Sequence, residues 1–447
     1  MKLPTRKLNR RQFISQSATA ATGLTALGTF GCSKANSTAR LHPLDGITRE
    51  NINITDITLT PLSYVDPKKD LWRSDSYTVW KTDAALTQVY TDQGIIGIGE
   101  GTPYAGGYRI DLLKEHTEQV LKPMLVGKNV FDVINSRPPE LEEDYVATAA
   151  WAGVDNCCWD IIGKAKNKPV YDLISVDGKP QTRIRIYASG GDYHEWFDKG
   201  DETLINEALS YKEMGIEGFK FRVGTTWSFS DMNLDKYIPI MQRLREAVGP
   251  DFKLMHEAHR RSGVSVEDVI NRFTPAIDEL KFHWFEEPVH ELEDYIRIAD
   301  IMKHTRVAAG EMQRSFDEMR PWIERGAAEI VTCDSNMVGL TENWLISRLA
   351  DANGCPHCPH NWHGGLTTMV NAHLAAAIPN RHMLEYNMTF NPLKTDIFKE
   401  PLELKDGWLT LNNKPGYGLE VIEDVEKKFP YSPGSFKRPN QKMQNPT

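Results

Sequence analysis

The chain has 447 residues, with 52 Lys and Arg against 61 Asp and Glu, for a formal net charge of -9. That balance argues against nucleic acid or another polyanion as the main partner, while a small acidic ligand held by local cations stays compatible with it. Hydrophobic residues at 40% and charged residues at 25% are ordinary for a globular protein, and the length calls for one large domain plus a smaller one.

The N-terminus differs from the rest. Asn9-Arg10-Arg11-Gln12-Phe13-Ile14 sets paired arginines ahead of Ala18 to Phe30, a small, apolar and uncharged run. This pattern predicts a twin-arginine export signal over 1–32 and a periplasmic destination, followed by a linker over 33–48. The run is too short for a comfortable membrane-spanning helix. Cys32 at its end stands where a lipoprotein signal would place the cysteine that carries a lipid anchor, although Phe30 is bulky for the residue two before it. The remaining cysteines, Cys157, Cys158, Cys333, Cys355 and Cys358, are not spaced as a disulfide framework. Cys355-Pro-His-Cys358-Pro-His360 invites a zinc reading, but no second pair at matching spacing supports it.

From 49 to 182 the pattern predicts a small α+β domain. Ile52 to Leu62, Ala85 to Tyr90 and Ile95 to Gly99 read as strands, with Asp92-Gln93-Gly94 as a hairpin turn. Ser63 to Asp83 is a long polar and aromatic loop of the kind that often carries function. Helical patterns follow near 109–124, 129–139 and 144–164.

From 183 to 400 short apolar strands alternate with amphipathic helices. The strands are Ile184 to Ala188, Gly218 to Val223, Lys253 to Glu257, Lys281 to Phe285, Arg306 to Ala309, Glu329 to Cys333, Cys355 to Cys358 and His382 to Glu385. Eight βα units in about 200 residues fit a closed parallel barrel, an α/β fold, better than an open sheet. The segment 401–447 opens with a hairpin-like piece, Leu404 to Leu409, and is expected to return to the first domain.

Catalytic groups of such a barrel sit at the C-terminal strand ends. Phe219-Lys220-Phe221-Arg222 alternates with period two, so Lys220 and Arg222 share the face toward the barrel mouth. Met255-His256-Glu257-Ala258-His259 places Glu257 and His259 together, and Phe285-Glu286-Glu287-Pro288 and Ala309-Gly310-Glu311 follow. Three successive strands thus deliver Glu257, Glu286 and Glu311, an oxygen set suited to a hard divalent cation such as Mg²⁺. Asp334 and His360 end the next two strands, where an Asp can orient an imidazole as a general base. Glu385 ends the eighth.

Taken together and in order, Gly218-Phe-Lys220-Phe-Arg222, Phe285-Glu286-Glu287-Pro288, Ala309-Gly310-Glu311, Asp334, Pro359-His360-Asn361-Trp362 and Leu384-Glu385 resemble the enolase superfamily, in its mandelate racemase-like branch. The resemblance implies a (β/α)₇β modified TIM barrel under an α+β capping domain built from both chain ends, with Tyr64 to Trp80 as the specificity loop. It also implies Mg²⁺-assisted removal of the proton α to a carboxylate, with catalytic roles for Lys220, Arg222, Asp334, His360 and Glu385. Trp72, Arg73 and Tyr104 in the capping loops, and Glu287, are candidates for substrate contact.

Two departures narrow the reading. Arg222 replaces the second Lys of the racemases and stays protonated, so it is a poor base and one-sided chemistry is expected. On the third strand Glu257 stands where most members place Asp, with His256 beside it as a second candidate ligand. His259 resembles the third-strand His of galactonate and mannonate dehydratases, the acid that expels a β-hydroxyl. The expected activity is dehydration of a sugar acid to a 2-keto-3-deoxy acid. A lyase or cycloisomerase on an extracellular sugar-acid derivative, or a non-catalytic sugar-acid-binding lipoprotein, are the alternatives. A homo-oligomer is expected.

Overall fold

The computed structural model describes residues 40–73, 77–102, 110–139, 141, 144–191, 200–222, 232–258, 264–362 and 364–439, with Arg73 and Arg222 described by backbone alone. The paired arginines, Cys32, Tyr104 and His259 lie outside the described residues.

Strands β1 (Ile54–Val65), β4 (Lys81–Thr91) and β5 (Ile96–Gly99) form an antiparallel sheet in the order β1-β4-β5. The helix Tyr145–Ala165 lies directly on β5 because that edge has no side chains to hold it off. A Cβ at Gly97 would sit 2.3 Å from the Cys157 carbonyl, and one at Gly101 would sit 1.8 Å from the Ala149 carbonyl. Glycine at every second strand position therefore faces every fourth helix position, the repeats matching because two strand residues and four helix residues advance by similar lengths. Between β1 and β4, the short strands β2 (Trp72–Arg73) and β3 (Tyr77–Val79) form a separate sheet with β15 (Lys437–Pro439), in the order β15-β3-β2.

The barrel strands are β6 (Arg183–Gly190), β7 (Gly218–Arg222), β8 (Lys253–Glu257), β9 (Trp284–Glu286), β10 (Arg306–Ala309), β11 (Ile330–Val331) and β12 (Leu384–Asn387). They pair in parallel from β6 to β11, and β12 pairs with β6. Between β11 and β12 the expected seventh strand, Cys355 to Cys358, shrinks to single bridges from His357 to Val331 and Arg381. That is enough to close the ring.

The hairpin of β13 (Glu403–Lys405) and β14 (Trp408–Thr410) corrects one expectation. It adds antiparallel to the start of β6, pairing Trp408 with Arg185, and so belongs with the barrel rather than the first domain. Beyond it the chain joins the capping layer, where Tyr417 N–H donates to Asp160 of the long helix and β15 pairs with β3. Alternate barrel positions point inward, where Tyr187, Met255, Trp284, Ala308, Ile330, Cys358 and Met383 form an apolar cluster distinct from the main core. Among the described residues no helix is long and apolar enough to cross a membrane.

Candidate active site

The pleat of β7 turns Phe219 and Phe221 outward into the helix layer and Lys220 inward, where it is 4% exposed. Register then sets the height of the acids. Arg222 faces Glu257 and Glu257 faces Glu286 across β7, β8 and β9, while Ala308 of β10 faces Glu286 and Glu311 follows three residues on. Glu257, Glu286 and Glu311 are all buried and bring one oxygen each within 4.8 Å of one another.

His256, the other candidate ligand, faces the opposite way. Its Nε2 lies 2.8 Å from the Tyr237 hydroxyl, and the rings of Phe221, Phe273 and Phe285 surround it. Glu257 is thus the third-strand residue in the mouth. Glu287, expected to contact substrate, is also turned away. It takes a positive φ of 45° as the chain leaves β9, and its carboxylate accepts from the Tyr295 hydroxyl at 2.7 Å and the Gly310 N–H at 3.4 Å. It braces the strand ends from outside the mouth. The zinc reading fails as well: the Cys358 thiol is in the apolar barrel cluster, Cys355 Sγ points to the Ala328 carbonyl, and His357 Nε2 meets the Cys333 carbonyl. Among the described residues, Glu257, Glu286 and Glu311 are the only group of three or more with metal-holding geometry.

Around this trio the cations are placed by further acids. Lys220 Nζ lies 3.1 Å from Glu286, 3.1 Å from Glu385 and 3.8 Å from Glu257. His360 puts Nδ1 3.2 Å from Asp334 and Nε2 3.2 Å from Glu311, with Glu385 at 3.8 Å. Asp334 is fixed by its own role as the N-cap of the helix Ser335–Ala352. Its Oδ1 accepts from the Asn336 N–H and the Asn371 side-chain amide, both at 2.8 Å, leaving Oδ2 for the imidazole. Asn371 also donates to the His360 carbonyl at 3.0 Å.

Sequence reasoning missed three supports. Trp284 Nε1–H donates to Glu286 at 2.8 Å, the Asn361 N–H donates to Glu385 at 2.9 Å, and Asn371 holds Asp334. Trp284 was discoverable, since it is two residues before Glu286 on the same strand face. Asn371 lies within a helix, where no spacing rule points to Asp334.

Burial and crowding set the protonation states. Burial first, then Glu286 and Glu311, hold Glu257 well above the usual carboxylate range. Burial likewise pushes Glu286 up to about 7, although Lys220 pulls the other way. For Lys220, burial favours the neutral amine, but the surrounding carboxylates more than reverse it and raise the pKa well above normal. His360 behaves similarly: burial opposes its charge, yet Glu385, Glu311 and Asp334 raise it to about 9. Glu385 falls to about 2, burial being outweighed by Lys220 and His360.

These residues suit a divalent cation. Among the described residues five carboxylates share the space with Lys220 and His360, and burial first, with neighbouring carboxylates adding to it, raises Glu257 and Glu286. At an effective dielectric constant near 20, like charges 4 to 5 Å apart cost roughly 3 to 4 kcal/mol per pair. An all-oxygen donor set of three buried carboxylates, each with an oxygen within 4.8 Å of the others, matches a hard metal ion.

Toward the capping layer, Trp72 and Phe436 line a pocket of about 50 Å³ with Lys81, Trp362, Asn387 and Asn391. Trp362 and Asn387 stand two residues beyond His360 and Glu385, so the pocket adjoins the mouth. The C-terminal tail holds the loop in place: Trp80 Nε1–H donates to the Ser435 carbonyl at 2.8 Å, and the buried Lys81 bridges to the Ser432 carbonyl and to Asp83.

Comparison with known proteins agrees with this architecture. Residues 203–425 match the enolase C-terminal domain-like family, and residues 67–175 match the mandelate racemase / muconate lactonizing enzyme N-terminal domain. The arabinonate dehydratase of Saccharolobus solfataricus is 27% identical over 84% of this chain and 99% of its own. The D-galactarolactone cycloisomerase of Agrobacterium fabrum is 27% identical over 77% of this chain and 90% of its own. A crystal structure of an enolase superfamily member from Polaromonas sp. JS666 superposes with a TM-score of 0.73 at 27% identity, covering 86% of this chain and 99% of that one.

Proposed function

The chain belongs to the mandelate racemase and muconate lactonizing enzyme branch of the enolase superfamily, and on that footing we propose that it dehydrates a sugar acid to a 2-keto-3-deoxy acid. The observation that carries the reading is the dyad of His360 and Asp334 aimed at the carboxylate trio, with Nε2 3.2 Å from Glu311 and Nδ1 3.2 Å from Asp334.

In this reading His360 receives the C2 proton at Nε2. Asp334 keeps Nδ1 protonated and carries part of the resulting positive charge. Lys220 directs an ammonium into the space where the substrate carboxylate must become more negative. Glu257, Glu286 and Glu311 would hold Mg²⁺, whose Lewis acidity toward the substrate carboxylate lowers the cost of that charge. Glu385 anchors both cations from beneath. Arg222 adds fixed positive charge and no second base, which disfavours racemisation. His259 protonates the departing C3 hydroxyl so that it leaves as water.

Incubation of the protein and Mg²⁺ with a library of aldonic and uronic-type acids tests the reading: a keto product of mass lower by one water supports it, and its absence with every acid refutes it. The similarity to a cycloisomerase supports a second reading, isomerisation of a sugar-acid derivative, which the same experiment separates because the mass does not change. We also propose twin-arginine export. Replacing Arg10 and Arg11 by Lys should retain the precursor in the cytoplasm, and unchanged export would exclude that route.

A further inference from the structure

The end of the barrel away from the carboxylate trio gathers cationic side chains around a histidine pair. His283, just ahead of β9, and His382, just ahead of β12, come from opposite sides of the ring and meet Nε2 to Nε2 at 2.6 Å. Lys253 and Arg306 start the neighbouring strands β8 and β10. Burial, helped by these cations, drives His283 down to about 3 and lowers His382.

Beside this pair a cavity of about 260 Å³ opens between the start of β6, the segment ahead of β12 and the hairpin, lined by Gln181, Arg183, Arg185, Arg381, His382 and Trp408. Its arginines are held in fixed orientation. Arg183 and Arg185 lie over the Trp408 ring at 4.8 and 3.9 Å from its centre, and Arg381 donates to the Ala376 and Ile378 carbonyls.

Their charges are unequally compensated. Arg185 pairs with Glu217 at 2.8 Å, and Glu217 also takes Lys253. Among the described residues no carboxylate lies within 4.0 Å of Arg183 or Arg381, and only the more distant charge of Asp177 reaches Arg381. Two guanidiniums and an imidazole therefore face a space several waters in size, at ~30 Å³ of liquid volume each. The planar fork of Arg matches the oxygens of a carboxylate or phosphate.

We propose that this cavity binds a small oxyanion, a phosphate or a carboxylate group, through Arg183, Arg381 and His382, on the barrel floor opposite the catalytic mouth. The site is independent of the dehydratase reading. Isothermal titration calorimetry of the full chain in chloride buffer at low ionic strength, with inorganic phosphate and with citrate as probes, tests it.

The expected result is saturable binding of at least one probe, the tighter identifying whether phosphate or carboxylate is preferred. Arg183→Gln and Arg381→Lys should each weaken it at least about tenfold, as loss of a charge-assisted hydrogen bond does, with thermal melts showing that both variants fold. Lys220→Gln, which removes a cation of the mouth, should leave this binding unchanged. Absence of binding by both probes, binding that survives both arginine substitutions, or binding lost with Lys220→Gln, which would put the anion in the mouth, overturns the proposal.

Discussion

The two ends of this barrel use the same strands for opposite electrostatics. At the C-terminal ends of β7 to β12, Glu257, Glu286, Glu311, Asp334 and Glu385 crowd around Lys220 and His360. At the N-terminal ends, Lys253 and Arg306 gather with Arg183, Arg185 and Arg381 beside the His283–His382 pair, whose charged form burial opposes, while Glu217 is committed to Arg185 and Lys253 and Glu329 lies near Arg306. Between them lies an uncharged tier of Tyr187, Met255, Trp284, Ala308, Ile330, Cys358 and Met383. The tier holds the two sets of charge apart along the barrel axis.

Substitutions in the mouth should have the largest effects. His360→Asn removes the base and should lower kcat by about 10³-fold with little change in KM, measured by keto-acid formation under saturating Mg²⁺. Glu286→Gln should weaken Mg²⁺ binding by at least about 100-fold, measured by calorimetry on the chelator-treated protein.

Next in size is the pH dependence of metal-free stability. Glu286 at about 7 and Glu257, also raised, bind protons more tightly folded than unfolded, so their contribution is present in acid and lost as pH rises from near 4.5 through 7. His360, raised to about 9, adds stability that is lost between about 6.5 and 9. Glu385, lowered to about 2, contributes in the other direction, and its share is lost as pH falls below about 4.5. The melting temperature of the metal-free protein should therefore peak in mildly acidic buffer and fall toward pH 9. Mg²⁺ should restore it most at the alkaline end. A peak at alkaline pH would contradict the raised pKa values of Glu257, Glu286 and His360.

Smaller effects come from below the trio. Trp284→Phe keeps an aromatic ring but loses the indole N–H and its 2.8 Å bond to Glu286, and should lower kcat about tenfold. Lys253→Gln on the floor should change kcat by less than about twofold, because the apolar tier separates it from the reacting groups. A large effect there would show that the two ends are coupled.

Much of the mouth was legible because its logic is local. Period-two alternation puts Lys220 inward beside outward Phe219 and Phe221, and parallel register levels Glu257 with Glu286. The same rule, applied strictly, also excludes His256 from the mouth. Glu287 misled because a residue with φ of 45° has already left the strand, and alternation stops applying there. The seventh strand was overread, since only His357 makes bridges, and the hairpin at β13 and β14 was assigned to the wrong layer because sequence gives no sign of which edge an antiparallel ribbon joins. The floor was invisible for a similar reason. Arg183, Arg381 and Trp408 are far apart in the chain and converge only when the ring closes.

We propose that the mouth performs α-proton abstraction through His360 on a sugar acid. Proton NMR of aldonic acids incubated with the protein and Mg²⁺ in D₂O follows the C2–H signal directly. The account predicts loss of that signal with at least one acid, accompanied by a 2-keto-3-deoxy product, dependent on Mg²⁺ and abolished in His360→Asn. A His360→Asn variant that consumes the same C2–H signal at the wild-type rate would contradict it.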